Sequence, residues 1–177
     1  MFNRRRNKVC SFFILIIVLS FLDVQAQDDV NYAVHANIIY HFTKYIDWPP
    51  PAKNGDFTIG IVGETPVYDQ LRKAVTGKRV GNQNITLKRF SSAEPSFGCQ
   101  ILFIGDDVAG SFKKIVSNTL NEPVLLVSES RGLARRGSCI NFSIINDKLA
   151  LEINQDNIQQ RNLRIASELL QLGVRVK

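Results

Sequence analysis

Three short, unbroken apolar runs set what this chain can fold into: FTIGIVG (Phe57 to Gly63), QILFIG (Gln100 to Gly105) and PVLLVS (Pro123 to Ser128). None of them alternates with polar residues, so each reads as a strand covered on both faces rather than half-exposed. Between the runs the period changes. Residues from Pro66 to Val75 and from Asp107 to Leu120 read as helices, and NITLKRF (Asn84 to Phe90) as a further strand. Apolar strands alternating with helices indicate a parallel sheet with helices on both sides. SCINFSIIN and KLALEIN, separated by a turn near Asn146-Asp147, read as a closing hairpin. Gln155 to Lys177 then carries Ile158, Leu163, Ile165, Leu169, Leu170 and Leu172 on what reads as one long amphipathic helix, with a face left over to support a dimer. The expectation is α/β: a single-domain sandwich with a mostly parallel central sheet, helices on both faces and a C-terminal β-hairpin plus helix.

Upstream, Val34, Ile38, Ile39, Phe42, Tyr45 and Ile46 recur at spacings of three, four and seven, which predicts an amphipathic helix over Tyr32 to Ile46. It stops at Asp47-Trp48-Pro49, because a proline disfavours helical geometry in the residue before it. Trp48 is the only Trp of the chain. Its first role is core, packed with Phe42, Tyr45 and Ile46 on the sheet. Its second is a contact surface shared with His41 and Lys44, since aromatic residues are frequent interface anchors.

The first 26 residues have the three parts of a secretory leader: Arg4, Arg5, Arg6 and Lys8, an apolar run from Phe12 to Leu22, and Val24-Gln25-Ala26 as a small-residue cleavage site. The run is shorter than a membrane span needs. The expectation is export to the periplasm, cleavage after Ala26, and a domain over residues 27–177. Removing the leader takes away four of the 22 basic and one of the 16 acidic residues, leaving 18 against 15, a net charge of +3. So mild an excess argues against nucleic acid as a partner.

Few residues carry chemistry. Gly60, Gly63 and the turn before Pro66 stand where a doubly wound sheet binds anions, but GIVGETP lacks a dinucleotide fingerprint and a phosphate loop, and reads as a plain turn. Asp106, Asp107, Ser128 and Lys148 follow the layout of a phosphate-accepting receiver; a carboxylate capping the next helix accounts for the aspartates sufficiently. His35 and His41 are six residues apart, project from different sides of a helix, and are the only histidines. No metal site, cofactor site or catalytic constellation follows from them. Arg131, Arg135 and Arg136, in SRGLARRG, form the densest basic cluster along the chain after the leader, at the sheet's carboxyl edge, where an anion or an acidic partner would meet them. Cys99 and Cys139 each begin a separate strand with PVLLVS between. Two strand spacings of about 4.8 Å exceed the Cα separation of a disulfide, so both thiols are expected unpaired.

The order of these segments is similar to one known family. A helix ending in FTKYIDWP, then FTIGIVG, GCQILFIG, PVLLVSES, GLARRGSCINF, KLALEIN and IASELLQLGVRV resembles the YfiR-like family of bacterial periplasmic proteins. The resemblance implies a periplasmic regulator that binds the extracytoplasmic part of a membrane signalling enzyme, such as a diguanylate cyclase or a sensor kinase, holds it inactive, and can dimerise. It also implies that some relatives carry further cysteines able to pair with these positions; this chain has none. The leading expectation is therefore a non-enzymatic regulator acting through His41, Lys44, Trp48, Arg131, Arg135 and Arg136. The alternative is a small-ligand binding protein with its pocket near Gly63, Asp106 and Arg131 to Arg136.

Overall fold

The first helix, α1 (Tyr32–Tyr45), begins where Asn31 accepts a bond from the Val34 amide and turns Ala36, Ile39 and Phe42 inward. A two-residue strand, β1 (Ile46–Asp47), and a 3-10 turn over Pro50–Lys53 take the chain off it. A computed structural model describes residues 30–177, so the leader expected over residues 1–26 lies outside the described residues. The order then runs β2 (Phe57–Val62), α2 (Val67–Val75), β3 (Arg79–Val80), β4 (Gln83–Phe90) and β5 (Ile101–Ile104). A 3-10 turn (Asp106–Ser111), α3 (Phe112–Asn118) and β6 (Leu125–Ser128) follow, then a second 3-10 turn (Leu133–Arg136) and the hairpin β7 (Ile140–Ile145) and β8 (Lys148–Ile153). The chain closes with α4 (Gln155–Gln160), β9 (Arg164–Ile165), α5 (Ser167–Leu172) and β10 (Val174–Arg175).

Eight of the ten described strands form one sheet in the order β10-β8-β7-β6-β5-β2-β4-β3. From β7 to β4 every pairing is parallel, and the fold is the mixed α/β sandwich expected from the apolar runs. β2, β5 and β6 are buried along their whole length. Side chains alternate between the faces. On one face Phe57 meets Trp48 edge-on at 5.0 Å, and α1 packs along α2. On the other, Gly60 lets Phe90 and Leu102 close in; a Cβ there would fall 2.7 to 2.9 Å from their rings and methyls. The hairpin turns at Asn146 and Asp147, both left-handed (φ 51 and 58), a conformation these side chains tolerate better than most.

Two expectations fail. The single long C-terminal helix is broken into α4, β9, α5 and β10. Asn162 is left-handed (φ 56), which ends α4, and Ile165 then pairs with Ile46 in a small antiparallel ladder between β1 and β9. Burial explains the break: Ile158, Leu163 and Leu169 are interior while Leu172 is 73% exposed, a pattern no single helix face produces. The helix expected from Asp107 starts only at Phe112, because Asp106 and Asp107 bond elsewhere rather than capping it.

Candidate functional site

Parallel strands leave their carboxyl ends on one rim of the sheet. The chain goes from β2 to β4 on one side and then to β5 on the other, so the crevice between β2 and β5 is where such sheets take ligands. Here the chain fills it. Asp107 Oδ2 accepts the Glu64 amide at 2.9 Å, and a Cβ on Gly63 (φ 103) would collide with Asp107 Oδ1. A carboxylate of the protein thus stands where a phosphate would lie. Beside it, Asp106 accepts from Ser130 Oγ at 2.6 Å, and Glu129 Oε1 accepts the Asp106 amide at 3.3 Å. Burial pushes Glu129 up to about pH 7; the Asp106 amide opposes the shift and the Asp106 and Asp107 charges add to it. Burial and the same carboxylates raise Tyr32. The receiver layout does not assemble, because Ser128 is fully buried and donates to Ser138 Oγ or Asn141 Oδ1.

Further along the rim, the basic loop is built by its glycines. Gly132 (φ 79) and Gly137 (φ 125) bracket the 3-10 turn, which buries Leu133 and Ala134 and leaves Arg131, Arg135 and Arg136 exposed. Asn154 and Asn157 fasten it from below, each donating to the Ala134 carbonyl at 3.0 Å. Arg131 and Arg135 face Glu129 and Glu152 across a cleft of about 640 Å³ floored by Phe142 to Ile145. Neither Gly63 nor Asp106 lines it, so the single pocket expected near Gly63, Asp106 and Arg131 to Arg136 resolves into a filled crevice and a separate open cleft.

The aromatic motif lies at the other end of the strands. Trp48 is 4% exposed and donates its indole N–H to the Gln100 carbonyl, just before β5, at 3.1 Å. One edge of it reaches a groove of about 630 Å³ with Asp47, Pro49, Pro50 and Lys53 on one wall and Gln159, Asn162 and Arg164 on the other. Lys53 bonds Asp47 at 2.7 Å along the first wall. His41 and Lys44 are exposed on α1, their side chains near Tyr40. The six residues singled out in the sequence therefore fall at opposite ends of the sheet. The far wall of the groove, Gln159 to Arg164, is invisible to a reading that makes residues 155–177 one helix; the helix-ending Asn162 was the signal.

His35 and the two cysteines are titratable groups buried in the core. His35 is 3% exposed, lies edge-on to Phe142 at 4.1 Å, leaves Nδ1 without a partner, and is held neutral by burial, its pKa lowered to about 4. Cys99 and Cys139 are buried free thiols, and burial pushes both up, Cys139 to about 11 despite the adjacent Arg161. Among the described residues no group of three or more His, Cys, Asp or Glu is arranged to hold a metal ion, and no helix is long and apolar enough to cross a membrane.

A family model described as YfiR/HmsC-like matches residues 32–174, and the chain belongs to that family. No curated protein matches it.

Proposed function

From membership in the YfiR/HmsC-like family we propose that the protein is a non-enzymatic periplasmic regulator. It binds the extracytoplasmic sensing region of a membrane signalling enzyme, a diguanylate cyclase or a sensor kinase, and restrains it. The observation that carries this reading is the family match over residues 32–174, which takes in every helix of the described residues and almost the whole sheet. The leader read in residues 1–26 supports export. Asp107 supports a binding role over a catalytic one, because it closes the crevice where this architecture otherwise holds a nucleotide or phosphate.

Restraint requires that the regulator bind the inactive state of its partner more tightly than the active one; tight binding to both would change nothing. Two surfaces are offered for that contact. One is the groove beside Trp48, flanked by His41 and Lys44 on α1. The other is the basic loop with Arg131, Arg135 and Arg136. Ile144 and Leu149, paired across β7 and β8 and exposed on one face of the sheet, suit a second copy of the chain. The cleft under Arg131 and Arg135 keeps a second reading alive, in which a small ligand sits there; its charged walls and about 640 Å³ are the reason.

The test is the output of the enzyme in cells. Deleting the gene raises cyclic di-GMP or kinase autophosphorylation, and the wild-type protein restores the low level. Arg135→Glu with Arg136→Glu leaves the fold intact, since both side chains are solvent-exposed, and fails to restore it. Full restoration by that charge reversal removes the basic loop from the interface.

A further inference from the structure

The far edge of the sheet is used by neither cleft. β4 is eight residues long, and β3 covers it only at Gln83 and Asn84, while β2 takes its other side from Ile85 to Phe90. Val80 and Gln83 flank the two-residue turn Gly81-Asn82, so the backbone of Gln83 points at β3. By strand alternation the N–H and C=O groups of Ile85, Leu87 and Arg89 point to that same side; the Arg79–Asn84 pairing engages the Ile85 N–H with the Lys78 carbonyl, and Leu87 and Arg89 extend beyond β3. An edge of this kind is where another strand pairs.

Charge selects the kind of strand. Between Val67 and Phe90 the chain carries Arg72, Lys73, Lys78, Arg79, Lys88 and Arg89 against one acid, Asp69. Arg72 bonds Asp69 at 3.1 Å, and Arg89 bonds Glu64 at 3.4 Å while lying over the Tyr68 ring. Among the described residues, Lys73, Lys78, Arg79 and Lys88 are exposed with no carboxylate within 4.0 Å. Arg72, Lys78 and Arg79 line a cleft of about 440 Å³ between α2 and β4, whose apolar wall is Tyr68, Val75, Ile85 and Leu87.

Lysines on an edge strand ordinarily protect it from aggregation, and that accounts for Lys88. It does not account for Arg72, Lys78 and Arg79, which come from α2 and the segment up to β3 and converge on a cleft with an apolar wall. Like charge also keeps a second copy of this edge away. A strand bearing carboxylates gains both the ladder bonds and the charge-assisted ones.

We propose that the β4 edge and the basic cleft beside it bind an extended acidic segment of a partner protein. The segment adds a strand along Leu87 and Arg89, past the end of β3, sets carboxylates against Lys78, Arg79 and Lys88, and lays small apolar side chains on Ile85 and Leu87 in the cleft. This cleft shares no lining residue with the groove at Trp48 or with the cleft under the basic loop, and the proposal stands whether or not the chain restrains an enzyme.

Random peptides of about ten residues, displayed on phage and selected on the immobilised protein, test this. The selected sequences alternate Asp or Glu with apolar residues. Methylating alternate backbone nitrogens of a selected peptide removes ladder bonds and weakens binding about tenfold, as the loss of one or two net hydrogen bonds predicts. Lys78→Glu with Arg79→Glu and Lys88→Glu gives up the contact of Lys78 with the Tyr40 ring and the bond of Arg79 to the Asn82 carbonyl, keeps the circular dichroism of the wild type, and loses the peptide; Lys88→Glu alone, which breaks neither contact, keeps the melting temperature and weakens peptide binding. Selected peptides without acidic enrichment overturn the proposal. So does binding indifferent to backbone methylation, which reduces the face to a charged patch, and so does capture by vesicles containing anionic lipid when no acidic peptide is selected.

Discussion

Replacing His35 by Phe converts an acid-sensitive core position into an insensitive one, and the effect can be worked through with its sign. In the folded chain His35 is 3% exposed, and its pKa falls from 6.5 to about 4 because burial penalises the imidazolium. Above about pH 6.5 folded and unfolded chains both hold it neutral, so the site costs nothing. As pH falls from 6.5 to 4 the unfolded chain takes up the proton and the folded chain does not, so stability drops across that window and levels off below it. Each pKa unit is about 1.36 kcal/mol, so the full drop is about 3 kcal/mol. Phe fits the same contacts, an edge-on approach to Phe142 at 4.1 Å and Tyr32 at 5.5 Å, and leaves no orphaned Nδ1. Glu129 titrates over an overlapping range with the opposite sign, so the wild-type profile alone mixes the two. The difference between wild type and His35→Phe cancels Glu129, which both chains retain. Urea unfolding followed by Trp48 fluorescence, repeated from about pH 7.5 down to about pH 4, should show the variant gaining about 3 kcal/mol on the wild type. A difference that stays constant with pH would refute the claim that His35 is shielded from water.

Three further outcomes follow from the same contacts. Glu129→Gln removes an acid whose folded pKa is raised to about 7, so the folded chain holds that proton while the unfolded chain, with a value of 4.5, has lost it. Stability therefore falls as pH rises through that window, and the variant is the more stable chain above about pH 7 by about 1 kcal/mol, discounted for partial exposure, and equal below about pH 4.5; melting temperatures at the two ends check this. Trp48→Ala deletes a ring packed on Phe57 and bonded to Gln100, so chemical denaturation should report a loss of about 3 to 5 kcal/mol. Cys99 and Cys139 should both resist a thiol reagent in the native protein and both react in about 6 M urea, because burial raises their pKa values and blocks access.

What the sequence made legible was whatever depended on neighbours along the chain. FTIGIVG, QILFIG and PVLLVS are strands because every one of their side chains is interior, and an unbroken apolar run says so without knowledge of the partners. The end of α1 was legible because proline geometry is local. The C-terminal segment was not, since Ile165 is drawn to Ile46 and Leu163 to the interior by contacts across the fold. GIVGETP reads as a plain turn, with a pocket near Gly63 only as the alternative, and Asp107 as the group that fills the crevice was not legible because it stands 43 residues from the Glu64 amide it accepts. Counting charges along the chain singled out SRGLARRG and passed over RKAVTGKR (Arg72 to Arg79), which is as basic; only the fold shows that Arg72, Lys78 and Arg79 line one cleft beside β4.

The central claim is that the folded domain binds a membrane signalling enzyme from its extracytoplasmic side. The most direct test is a pull-down from solubilised native envelopes with the purified protein as bait, the retained proteins being identified by mass spectrometry. The account predicts recovery of a membrane diguanylate cyclase or sensor kinase, reduced by Arg135→Glu with Arg136→Glu. Recovery of the bait alone, under conditions that preserve other envelope complexes, would contradict it, and a small molecule retained in its native mass spectrum would move the function to the cleft under Arg131 and Arg135.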